Sequence, residues 1–196
     1  MSNDDLRSLI ESLSRPSHLA GYLDALSNTE RISQVTALGR KHMVRLWELV
    51  DGAWDFDLNH FVPPDVDPLE EVIHWGKNSL PAFQRFQKRF CRPEAGAQEL
   101  WGYNEQTMRH VTGPGYFVTH ASDRPDTQVW INYTRLPEGK APGWPQIRPN
   151  SARLGRFVYH GTVDRMRKVS DHVSIGAAFK KERPMGAYFM LCRQDT

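Results

Sequence analysis

Four cations crowd one short stretch of this chain: Arg85, Lys88, Arg89 and Arg92. Intervals of three, one and three place them on one side of a helix, while Leu80, Phe83, Phe86 and Phe90 fall on another. Guanidinium forks match carboxylate or phosphate oxygens bidentately, so such a face would hold an anion. Trp75, Trp101 and Tyr103 are the aromatic side chains expected to wall the ligand. The pattern predicts binding of a small anionic or amphipathic molecule by these seven residues. Upstream, Asp51, Asp55, Asp57, Asp65, Asp67, Glu70 and Glu71 form an acidic block without Lys or Arg. Ion pairing between the two blocks is the competing reading.

The acidic block also contains Asp55-Phe-Asp57-Leu-Asn59, whose alternate residues share one side of an extended chain. Asp55 and Asp57 are therefore the candidate ligands for a hard cation. The string opens like a calcium loop, then departs from it. His60 stands where glycine is needed and Val66 where a bidentate Glu is needed. No motif calls for a cofactor.

Eight histidines are scattered without an HExxH pattern. His110 and His120 flank a Gly-Pro-Gly turn. His160, and His172 beside Asp171, are the candidates for a histidine-dependent hydrolase or transferase, the catalytic alternative. There is no Gly-x-Ser-x-Gly. Cys91 lies between Arg89 and Arg92, neighbours that lower a thiol pKa when the sulfur is accessible.

One string, Val158-Tyr-His-Gly-Thr162, resembles the opening strand of ADP-ribosyltransferase folds. In that family the His and a following hydroxyl help hold a nicotinamide dinucleotide. The resemblance implies a later Tyr and a catalytic Glu on a long following segment. Here the residues after Thr162 contain one Glu, Glu182, in a basic turn. The resemblance covers five residues and leaves the fold incomplete.

Composition bounds what can carry such sites. The chain has 196 residues, 39% hydrophobic and 24% charged, enough to bury a core without staples. Residues 1–100 carry 11 basic and 15 acidic side chains, and residues 101–196 carry 14 and 8. Neither half has the dense basic clustering of a nucleic-acid binder. Two cysteines without metal-ligand spacing suit a reducing compartment. An acidic, polar N-terminus and the lack of a long apolar run predict a cytoplasmic protein without membrane contact. Besides a small anionic ligand, the expected partner is another protein, or a second copy of this chain docking through the helical or basic face.

The positioning elements follow from periodicity. Leu6, Leu9, Ile10 and Leu13 predict a helix ending before Pro16, and Leu19, Tyr22, Leu23 and Leu26 a second. Ser27 and Glu30 have capping-box spacing and open a long stripe through Val50. Val72–Trp75 reads as a short strand, and Pro81 as the first turn of a helix reaching Arg92. Strands are predicted at 100–104, 116–121, 128–135 and 156–160, a helix from Thr162 to Val169, and a closing hairpin turning at Arg183–Gly186. The fold class expected is α+β: N-terminal helices followed by a mainly antiparallel sheet or partial barrel. Residues 1–52 form the helical subdomain and 53–196 the α+β body of one continuous domain.

Overall fold

Local chemistry sets the helices. In the computed structural model, which describes residues 5–81, 84–106, 113–122, 129–150 and 161–195, α1 spans Leu6–Glu11 and the Asp5 carboxylate accepts from Ser8 N at its start. α2 spans Pro16–Asp24, with the proline where no backbone N–H is needed. α3 (Asn28–Thr36) carries the predicted capping box, Glu30 N donating to Ser27 Oγ and Ser27 N to Glu30 Oε2. The stripe read as one long helix is divided: Gly39 caps a separate α4, Arg40–Leu49.

Eight strands follow among the described residues: β1 (Val72–Asn78), β2 (Arg85–Cys91), β3 (Glu99–Glu105), β4 (Phe117–Ala121), β5 (Val129–Asn132), β6 (Thr162–Lys168), β7 (Val173–Lys180) and β8 (Arg183–Arg193). Each pairs antiparallel with the next, and β8 returns to β1 with Trp75 opposite Cys192. The sheet is a closed up-and-down barrel, which leaves no strand edge to aggregate. The expectation of N-terminal helices and an antiparallel sheet holds, and closure makes it more specific.

Two predicted helices are strands. Residues 85–91, read as the basic helix, form β2, and residues 162–168 form β6. The final turn also moves. Lys181 and Glu182 both have positive φ (49° and 67°), the geometry of a two-residue hairpin turn, so β8 already begins at Arg183. The strand expected at 156–160 lies outside the described residues.

Three apolar clusters hold the architecture together. Leu6, Leu9, Leu19, Leu23, Val35, Met43 and Leu46 of the helices pack against Val173, Ile175, Met190 and Cys192 on the outer face of β7 and β8. The segment after β5 covers the opposite outer face, where Ala141 and Trp144 meet Cys91, Tyr103 and Tyr116. The third cluster lies within the barrel. Phe61 and Val62, which follow a 3-10 turn at Leu58–His60, pack with Val72, Phe90, Leu100 and Leu191. They plug the end of the barrel where β1 begins.

Inside, phenyl rings lie across glycines on neighbouring strands. Gly76 faces Phe86, Gly102 faces Phe117 and Gly176 faces Phe189, each pair in register. A Cβ on any of these glycines would come within 2.6 Å of the facing ring. The glycines therefore admit side chains too large for an ordinary cross-strand neighbour.

Candidate functional site

Strand alternation turns Phe86, Lys88 and Phe90 inward and leaves Arg85, Gln87 and Arg89 outside. Lys88 is thus carried into the lumen, with a side chain only 2% exposed. Its Nζ donates to Asn104 Oδ1 at 3.0 Å and to Tyr133 Oη, and lies 3.5 Å from Asp164 Oδ2. Asn104 is the register partner of Lys88 on β3, so both face inward. Asp164 comes from β6 on the far side of the barrel and is 8% exposed. The Tyr133 hydroxyl also hydrogen-bonds the Asp164 carboxylate. Asn104 Nδ2 donates to Gly115 O at 2.9 Å, which fixes its amide.

Aromatic rings enclose the ammonium. The Nζ atom lies 4.9 Å from the ring centres of Phe117 and Tyr133, 5.0 Å from Phe189 and 5.7 Å from Phe86. These contacts favour the cation, yet burial opposes it more strongly. Burial pulls the Lys88 pKa down to about 8, with Asp164 partly offsetting the shift. Burial pushes the Asp164 carboxyl above its usual range, while Lys88 and Tyr133 hold it back. Burial thus works against the charged form of both partners, and each partner's charge works to restore it in the other.

The residues predicted to share one ligand are separated. Lys88 is in the lumen. Arg92 is buried at the plugged end, where it donates to Asn59 Oδ1, Val62 O and Ala97 O. Trp101 and Tyr103 face outward under the segment after β5, Tyr103 stacking on Trp144 with ring centres 5.0 Å apart. Trp75, Arg85 and Arg89 do come together. With Ile32, Thr36 and Glu105 they line an outer cleft of about 600 Å³ between α3 and the barrel. Within it Arg89 is held by Glu71 at 2.9 Å and by Gln87. The Arg85 side chain is exposed and makes no hydrogen bond or ion pair among the described residues.

His172 Nδ1 sits 3.1 Å from Asp195 Oδ1, and Arg31 donates to the same oxygen at 2.8 Å. His172 lies in neither the lumen nor the outer cleft, and its pKa is lowered, by burial first and then by Arg31 and Arg193. His160 lies outside the described residues. The Asp57 carboxylate caps the 3-10 turn through Asn59 N at 2.9 Å, and Asp55 is exposed. Among the described residues no three His, Cys, Asp or Glu gather as a metal site. Burial pushes Cys91 up to about 12, so its basic neighbours do not activate the thiol.

Sequence reasoning missed Asn104, Tyr133 and Asp164. The available signal was the string Arg85-Phe-Gln-Lys-Arg-Phe-Cys, in which Lys88 takes the place of an inward apolar residue between two phenylalanines. No helix among the described residues is long and apolar enough to cross a membrane. No protein-family model, curated protein or solved structure matches this chain.

Proposed function

We propose that the protein binds a small amphipathic molecule inside its barrel, with the polar head of the ligand seated on Lys88, Asn104, Tyr133 and Asp164. One observation carries this reading: a lysine and an aspartate, both buried, meet across a lumen otherwise lined mainly by apolar and aromatic side chains. Replacing such a pair with apolar side chains is often neutral, or stabilising by about 1–4 kcal/mol. A pair with so little stability to recommend it is best explained by use. Its position supports the same conclusion. The plug of Phe61 and Val62 fills one end of the barrel, and the cluster lies toward the other. The pair is close to neutral overall, so the ligand head it favours is polar rather than strongly anionic.

A second reading, small-anion binding on the outer surface, rests on Arg85. Its guanidinium, unpaired among the described residues, lines the same cleft as Trp75 and Arg89.

Titration calorimetry with octanoate, octanol and 2-naphthalenemethanol separates the two. The barrel reading expects binding that falls at least tenfold in Lys88→Met/Asp164→Leu and is unchanged in Arg85→Ala. Loss in Arg85→Ala alone moves the site to the outer cleft. No binding of any of the three by the natural chain overturns the barrel reading.

A further inference from the structure

The lumen cluster is more than a polar seat, because its members are those needed to handle a carbonyl. Resting on the barrel reading above, we infer that Lys88 condenses with an aldehyde or ketone group of the ligand to form an imine. Five features point there. The amine is held inside the barrel, where bulk water does not compete for an imine once formed. Tyr133 Oη accepts from Nζ and donates to Asp164, so it links the amine to the carboxyl as a proton relay. Asp164 Oδ2, 3.5 Å from Nζ, is near enough to take a proton from the attacking nitrogen. Asn104, fixed by Gly115, orients the amine. Phe86, Phe117 and Phe189 supply an apolar wall for the rest of the ligand.

The step balances without an oxidant or reductant. The neutral Lys88 amine donates its lone pair to the carbonyl carbon, and the carbon–oxygen π pair moves to oxygen. Asp164 passes one proton from nitrogen to that oxygen, giving a carbinolamine. The hydroxyl then leaves with the second nitrogen-bound hydrogen, relayed through Tyr133 and Asp164. The carbonyl oxygen and both amine hydrogens depart as one water, and a carbon–nitrogen double bond remains. Lysines that form such adducts are those whose amine is kept from full protonation by burial.

The test uses the full chain with octanal and 2-naphthaldehyde at pH 7.5, trapped by cyanoborohydride and located by peptide mass mapping. The expected result is one adduct per chain at Lys88, forming at least tenfold faster than at the exposed Lys41 or Lys181. Asp164→Asn and Tyr133→Phe slow that labelling at least tenfold, and by more than they weaken binding of the matching alcohols. Binding of octanol or 2-naphthalenemethanol with no Lys88 adduct from either aldehyde overturns the imine and leaves the barrel reading standing. Neither binding nor adduct overturns both. Labelling of Lys88 no faster than that of Lys41 also overturns the imine.

Discussion

Lys88 and Asp164 stand on opposite walls of the barrel, with three strands between them in either direction, yet Nζ and Oδ2 are 3.5 Å apart. The bridge crosses the lumen above the Phe61 plug and gives the barrel an internal polar floor.

That bridge predicts a particular pattern of stability. Lys88→Met leaves a carboxylate buried without its partner and costs about 3–5 kcal/mol at pH 8. Lys88→Met/Asp164→Leu recovers most of the loss. The single variant loses less at pH 5. Its unpaired carboxyl is held above its unfolded pKa, so the folded state gains a proton there that the unfolded chain does not. Urea unfolding at both pH values checks this. A double variant no more stable than the single would contradict it.

Acid should weaken the plugged end. His74 donates from Nε2 to Phe61 O at 2.9 Å, and its Nδ1 is buried without a partner among the described residues. Burial lowers its pKa to about 3, and that of neighbouring His60 falls well below the usual value. Between pH 6.5 and about 3 the unfolded chain binds a proton at His74 that the folded chain refuses. Stability is therefore full above pH 6.5 and declines as pH falls, by up to roughly 5 kcal/mol for His74. Melting temperature against pH should slope less steeply in His74→Gln. Equal slopes would show that His74 is not the source.

The glycine–phenyl pairs are sites where a single methyl group should be felt. A Cβ on Gly176 would lie 2.2 Å from Phe189 Cζ and 2.7 Å from Met166 Sδ. Gly176→Ala should cost about 1–3 kcal/mol, as overpacked cores do. Gly176→Ala/Phe189→Leu should be less destabilised than the sum of the two single variants, since removing the ring removes the clash. Strict additivity in chemical denaturation would refute the pairing.

Both thiols should be silent in the native protein. Cys91 and Cys192 are free, fully buried and pushed up to about 12 by burial. They sit in different apolar clusters, one on each side of the barrel wall's outer surface. Ellman's reagent should find no reactive thiol in native protein and two in denaturant. A rapidly reacting native thiol would place one of these cysteines at the surface.

The helices were legible because their signals are local: a carboxylate cap at Asp5, a capping box at Ser27 and Glu30, a proline at the start of α2. The C-terminal strands were legible where period-two alternation is clean, as from Val173 to Phe179. The two strands mistaken for helices are the two that carry Lys88 and Asp164. The cause is physical. An inward strand position is recognised by being apolar, and a buried charge reads as outward. In β2, Phe86 and Phe90 stand four apart with lysine between them, which imitates helical spacing. In β6, Asp164 points in while Val163 is only half-buried, so the alternation is masked again. Local rules failed where the chain buries polar groups at positions that elsewhere are apolar. Barrel closure joins β1 to β8 over more than a hundred residues, and no local signal marks that pairing.

The most direct measurement is the nuclear magnetic resonance titration of protein labelled with 13C at the lysine ε-carbon, with and without 2-naphthalenemethanol. The account predicts one ε-carbon signal, absent from Lys88→Met, that titrates near pH 8 and shifts when the alcohol is added. A Lys88 signal that titrates with the exposed lysines, or that stays fixed at saturating alcohol, would contradict it.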